Sequence, residues 1–352
     1  MVTDPGILHS NPVTLESSNP FIKAMAFKDV IGHAKPIALL QRAIKNGRVV
    51  QSYLFLGNEG IGKKYAALQF AKALNCLGAE AKEGDACDHC TSCKRVDHGL
   101  HPDVLVIEPE GQNIKVEQIR QLQRELAYRP YEGKYRVCIV TTADRMAPHI
   151  PNTLLKTLEE PPLHTVIVLL ANNSRFMLPT ILSRCQPIRF NPLPIPLVSK
   201  WLVEGNGFDE AEAHLLASLS EGSPGKALEI QEEILQIPRK ELLKDWVGLK
   251  SLSFERIGSW VGSLPSEREN LLLILEVAKT LLRDLIMVKT LNKGPKLIHS
   301  DLLREIESTA TNWSLSSLLR RMENLHQTIV EIKANANTSL ALEAMMLSWA
   351  EG

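Results

Sequence analysis

Between residues 51 and 192 the apolar positions fall into two alternating kinds of run. Residues 53–56, 104–107, 137–140 and 165–170 are short and continuously apolar, as strands buried on both faces are. Between them the apolar spacing becomes helical. Residues 63–73 form one such stretch, and residues 114–128 another, with Ile119, Leu122 and Leu126 on one face and Pro130 as a stop. Residues 153–158 form a third, stopped by Pro161 and Pro162. Strands alternating with helices predict a parallel sheet with helices on both faces. Upstream, residues 27–49 read as a turn and an amphipathic helix carrying Ile37, Leu40 and Ile44. After the proline-punctuated link 192–196 only helical periodicity remains, over 198–203, 211–219 and 226–235. Beyond Pro238 it continues over 271–291, 302–306, 318–332 and 340–349. The predicted class is α/β plus all-α. A polar tail covers 1–26, the sheet domain 27–192, a small helical unit 193–236, and a helical bundle 237–352.

The turn after the first strand carries chemistry. Gly57, Gly60, Gly62 and Lys63 lie in a run that meets the first seven positions of the phosphate-binding loop G-x-x-x-x-G-K-[ST]. There backbone N–H groups and a helix N-terminus cradle phosphate, and the lysine reaches the outer phosphates. The eighth residue should be a hydroxyl that holds Mg²⁺. It is Lys64, which could take the metal's place. The strand 137–140 should end in an acidic pair that holds the metal and polarises water. Thr141 and Thr142 stand there, and Asp144, two residues on, reads as a solvated loop carboxylate. Binding of ATP to such a loop is weak or absent, although a lysine and a loop of amides can hold phosphate without magnesium.

Cys87, Cys90 and Cys93 form C-x2-C-x2-C, and Cys76 lies eleven residues before the first. Four thiolates so spaced suit tetrahedral Zn²⁺, with His89 and His98 as spare ligands. The plain alternative is a set of incidental surface thiols, a liability for a protein. Four cysteines close the coordination sphere, so the expected metal is structural, in a knuckle spanning 76–93. Cys138, inside a strand, and Cys185 are not expected to be ligands.

Bulk properties narrow the rest. At 352 residues the chain is long enough for two or three domains. Lys+Arg and Asp+Glu balance at 40 each, so no global basic field draws it to nucleic acid. No apolar run is long enough to span a bilayer, and six cysteines are too few for a disulfide scaffold; a cytoplasmic setting is expected. The segment 1–23, with Pro5, Pro12 and Pro20, lacks the pattern of a signal peptide.

In order along the chain come the loop Gly57–Lys63, the four cysteines, the run Leu154-Leu155-Lys156-Thr157-Leu158-Glu159-Glu160-Pro161-Pro162 and the run Leu182-Ser183-Arg184-Cys185. This series resembles the AAA+ clamp-loader subunits of bacterial DNA polymerase III, and residues 335–343 resemble the end of such chains. The resemblance covers about residues 27 to 347. It implies an AAA+ P-loop NTPase-like parallel sheet core with an inserted zinc knuckle, a small helical lid, and a C-terminal helical collar for oligomerisation. It also implies partners: motor subunits (gamma/tau) and the delta subunit in a hetero-pentamer, with the sliding clamp and primer-template DNA reached through the complex.

The departures from the family's motor pattern point to a non-hydrolysing stator. They are Lys64, Thr141 and Thr142, and Gly225 where the lid's nucleotide-sensing arginine is expected in 222–228. By resemblance Arg184 is an arginine finger that acts in trans on a neighbour's nucleotide; an outer-phosphate guanidinium there stabilises transition-state charge. The plain alternative for Arg184 is a helix cap or an ion pair with Glu159. Asn172 and Asn173 resemble the family's polar sensor position and read as strand-end hydrogen bonders. Two other readings compete. One is an ATP-hydrolysing gamma/tau-type motor, opposed by the three lost positions. The other is a zinc-dependent nucleic-acid adapter, opposed by the neutral charge.

Overall fold

The computed structural model describes residues 26–111, 113–146, 150–244, 254–291 and 297–350. Nearly all of the expected tail therefore lies outside the described residues. The four apolar runs form β1 (Ser52–Leu56), β2 (Val104–Ile107), β3 (Arg136–Val140) and β4 (Thr165–Ala171), and β5 is Gln186–Arg189. They pair in the order β2-β3-β4-β1-β5, every neighbour parallel. Helices cover both faces because side chains alternate along each strand. Tyr53, Phe55, Val137, Ile139, Val166 and Val168 point to a core closed by α1 (Ala34–Lys45) and α2 (Lys63–Asn75). Leu54, Cys138, Val140, Ile167 and Leu169 point to the opposite core, closed by α4 (Val116–Leu126), α5 (Ile150–Glu159) and α6 (Pro179–Leu182). The parallel sheet with helices on both faces expected from the sequence is thus the observed one.

Between α2 and β2 runs an excursion containing a 3-10 turn (Ala79–Glu83) and the short helix α3 (Thr91–Asp97). The periodicity did not predict α3, whose seven residues are too few to show a period. The helix expected over 114–128 is shorter, because Ile114 leaves it for an isolated bridge with Met146.

The chain divides into two compact units, residues 1–193 and 194–352. Among its described residues the second unit contains helices and no strand: α7 (Ile195–Asn206), α8 (Glu210–Leu219), α9 (Pro224–Glu229), α10 (Gln231–Gln236), α11 (Arg239–Leu242), α12 (Phe254–Ser263), α13 (Arg268–Thr290), α14 (Leu303–Thr311), α15 (Leu315–Lys333) and α16 (Thr338–Ala350). The single helix expected over 226–235 is two, α9 and α10, joined at Ile230. Within this unit Leu275, Ala278, Leu282, Leu318, Leu325 and Met346 are fully buried, as interlocking apolar stripes require. Its polar centre is His299, which has no exposure. Arg239 can only donate to His299 Nδ1 (3.3 Å), so Nε2 carries the proton and donates to Thr280 Oγ1 (2.9 Å). The same arginine grips Asp301 through two nitrogens, at 3.1 and 2.8 Å.

Candidate functional site

β1 ends at Leu56 and the chain turns back through the glycine-rich loop into α2. Gly57 is required by space: a Cβ there would stand 2.3 Å from the Phe190 carbonyl oxygen, beside the end of β5. Gly60 and Gly62 have φ of 70° and 102°, conformations that only glycine adopts readily. The loop therefore has the shape of a phosphate cradle. Its lysine, however, is turned inward. Lys63 is 8% exposed, and its Nζ donates to the carbonyls of Gly57 (2.5 Å) and Asn58 (2.7 Å) and to Oδ1 of Asn172 (2.9 Å). Burial holds this ammonium down to about 8, against the carboxylates of Asp144 and Glu59, which raise it. All three of its protons are used within the chain.

The positions that should hold metal and water are engaged otherwise. Lys64 Nζ pairs with Glu108 Oε1 at 2.6 Å, just beyond β2. A cation where the hydroxyl should be is answered by a carboxylate at the end of the edge strand β2. Thr141 donates from Oγ1 to the Ile107 carbonyl (3.1 Å), and Thr142 takes a left-handed turn at φ 46°. Asp144 is not the solvated loop carboxylate expected. Its Oδ2 accepts N–H bonds from Asn172 (3.0 Å) and Asn173 (3.3 Å), so it fixes the end of β4. Asn172 in turn binds Lys63, so it does more than terminate its strand.

Arg184 follows α6. Its Nη2 lies 2.6 Å from Glu159 Oε1 at the end of α5, and Nη1 donates to the Thr180 carbonyl (2.9 Å) and to Ser183 Oγ (3.2 Å). In the isolated chain, then, Arg184 makes the cap and the ion pair named as its plain alternative. Both partners are half-exposed, with side-chain exposures of 34% and 48%.

Cys76, Cys87, Cys90 and Cys93 converge, their sulfurs all within 4.8 Å of one another. Zinc–thiolate bonds of about 2.3 Å in a tetrahedron need that spacing. Each of three sulfurs also accepts backbone N–H groups: Cys76 from Gly78 and Cys87 (both 3.3 Å), Cys87 from Cys90 (3.3 Å), and Cys90 from Cys93 (3.4 Å). Such donors stabilise thiolates. Burial raises Cys76 and Cys93; at Cys90 burial is outweighed by the N–H groups of Cys93 and Leu77, which bring it to about 6. The donor set and spacing fit a closed, structural zinc centre. The spare histidines stay outside it: His89 Nδ1 meets the Cys87 carbonyl (2.7 Å) and His98 Nδ1 that of Lys94 (2.6 Å). Cys138 and Cys185 are buried elsewhere. Gly78, which sequence reasoning missed, is needed for closure, since a Cβ there would come 2.9 Å from Cys87 Sγ.

Comparison with known proteins finds relatives among the subunits of one replication enzyme. The family model for the DNA polymerase III delta subunit matches residues 32–194, and a second model, for the C-terminal part of that delta subunit, matches residues 250–351. DNA polymerase III subunit delta' of Bacillus subtilis is 30% identical over 318 residues, which is 89% of this chain and 95% of that one. Subunit tau/gamma of Haemophilus influenzae is 30% identical over 226 residues, 63% of this chain but only 32% of the longer relative. Among solved structures, a protein related to the gamma subunit from Thermotoga maritima is 22% identical, with a TM-score of 0.44 over 90% of this chain and 99% of that one.

Proposed function

The chain belongs to the clamp-loader subunit family of bacterial DNA polymerase III that includes delta', and from that premise we propose that it is the loader's non-hydrolysing stator. One observation carries the reading: Lys63, the residue that would grip nucleotide phosphates, gives all three protons to acceptors of its own chain. Lys64, Thr141 and Thr142 supply neither a magnesium ligand nor a base for water. Binding ATP would require Lys63 to leave three hydrogen bonds, with no metal to compensate. The resident cofactor is structural zinc on Cys76, Cys87, Cys90 and Cys93.

The stator's chemical contribution is Arg184, acting in trans. Its partner Glu159 is half in solvent, so a neighbour's triphosphate, with more charge, can replace that carboxylate. The partners are gamma/tau-type motor subunits and the delta subunit in a hetero-pentamer in the cytoplasm, with clamp and primer-template DNA reached through the assembly. Residues 193–236 would serve as the lid and 237–352 as the collar.

The test has two arms. The purified chain should hydrolyse ATP no faster than its Lys63→Ala variant; magnesium-dependent turnover lost with that substitution would make it a motor. The Arg184→Ala chain, reconstituted with its partners, should still assemble yet lose DNA- and clamp-stimulated ATPase. Rates equal to wild type would leave a scaffold only.

A further inference from the structure

Lys72 lies on the inner face of α2, nine residues past the loop lysine, and its side chain has no exposure at all. Burying an ammonium is tolerated only with close counter-charges. Both come from the cysteine excursion. Asp88 Oδ1 is 2.6 Å from Lys72 Nζ, and Asp97 Oδ1 is 2.7 Å from it. Asp88 sits inside the Cys87–Cys90 turn at a φ of 61°, a left-handed conformation that aspartate tolerates better than most side chains. Asp97 ends α3, the helix that begins straight after Cys90 and contains Cys93. One ammonium therefore clasps the two segments that bring three of the four sulfurs together. One turn further along α2, Asn75 extends the attachment. Its carbonyl accepts from Ser92 Oγ (2.8 Å), and its side chain meets the backbone of Tyr135 in two 2.9 Å bonds.

We propose that Lys72, with Asp88 and Asp97, is the positioning set of the metal centre: it anchors the Cys87–Cys90 turn and α3 to the phosphate-loop helix as the metal binds, and so stabilises the closed arrangement of the sulfurs. This rests on the reading of the four cysteines as a zinc site. The coupling is reciprocal by linkage. Metal closes the excursion and delivers two carboxylates to Lys72; without metal the excursion loosens and the ammonium regains water. Residues that orient metal ligands typically contribute 10–100-fold to affinity, although they do not touch the metal.

The test uses the full chain and zinc itself. Asp97→Asn is the chief variant, because Lys72 retains Asp88 and the chain stays folded; Asp88→Asn is the second. Glu83→Gln is the control, removing the same charge from an exposed place in the same excursion. Zinc affinity is measured by competition with a chromophoric chelator, beside the circular dichroism and melting temperature of each metal-free form. We expect Asp97→Asn and Asp88→Asn to bind zinc about 10-fold or more weakly and Glu83→Gln to match wild type. A merely structural role would lower the metal-free melting temperature and leave zinc affinity unmoved. In the wild type, amine acylation should spare Lys72 while zinc is bound and label it after chelation. Unchanged affinity in both aspartate variants, or a Lys72 equally protected without metal, would overturn the proposal. A wild-type chain that binds no zinc would instead overturn the zinc reading beneath it.

Discussion

Arg184 is held by a neighbour it can leave. An ion pair of this exposure is worth about 0–1 kcal/mol, so Arg184→Ala should leave the melting temperature nearly unchanged. A finger acting in trans is worth roughly 10³–10⁵ in rate at the site it serves. The stability and rate effects of that one substitution therefore separate cleanly, and Arg184→Lys should rescue little because an ammonium lacks the planar fork. Lys63 is the opposite case, a residue whose expected partner is replaced by its own chain. Fluorescent ATP analogue titration should show no magnesium-dependent binding above the Lys63→Ala background. His299 gives a third expectation. Burial, then the positive charge of Arg239, holds its imidazole down to about 3 from an ordinary 6.5. Folded chains stay neutral there while unfolded chains take up a proton, so its contribution is full above pH 6.5 and is lost as pH falls toward 3. The slope from this residue is at most about 1.4 kcal/mol per pH unit. Urea denaturation at pH 7 and pH 5 should show the loss, and His299→Asn should flatten it. The sequence marked Arg184 and Lys63 through their motifs. It carried no sign of His299, whose partners lie 19 and 60 positions away.

At the scale of elements, the cysteine excursion and the start of β3 depend on buried charge. If the four cysteines hold zinc as proposed, chelation should expose the excursion from Cys76 to Cys93 to proteolysis while the sheet's circular dichroism persists, because the sheet cores do not rest on it. Asp103, just before β2, has no exposure and accepts N–H bonds from Tyr131 (2.7 Å), Glu132 (2.8 Å) and Gly133 (2.7 Å) while pairing with Arg136 at 3.0 Å. Burial would raise its carboxyl, but these four donors outweigh that and hold it low. Asp103→Ala should cost about 3–5 kcal/mol, read by urea denaturation, since it strands a buried arginine and three N–H groups. Strands were legible where apolar residues run continuously. Elements such as α3 were not, because seven residues carry no period and caps decide them.

For the molecule as a whole, each of the two units has its own buried core. Residues 194–352 produced alone should therefore fold, giving helical circular dichroism and one cooperative melt. The acid sensitivity conferred by His299 should travel with that fragment. Among the described residues no helix is long and apolar enough to cross a membrane.

Readable from the residues alone were the sheet-then-helices order, the phosphate-loop turn, Lys64, Thr141 and Thr142 where a metal ligand and a base are expected, and the four-cysteine set. These reside in local spacing, which fixes which backbone shapes and donor sets are possible. What those groups touch came from the folding of distant segments together. Lys63 turns to its own loop and to Asn172, Lys64 meets Glu108, Asp144 ties down β4, and Lys72 reaches back to the cysteine turn. The pairs are 109, 44, 28 and 16 positions apart. A buried charge must find its counter-charge wherever the fold brings one, and no local pattern encodes a meeting across that distance.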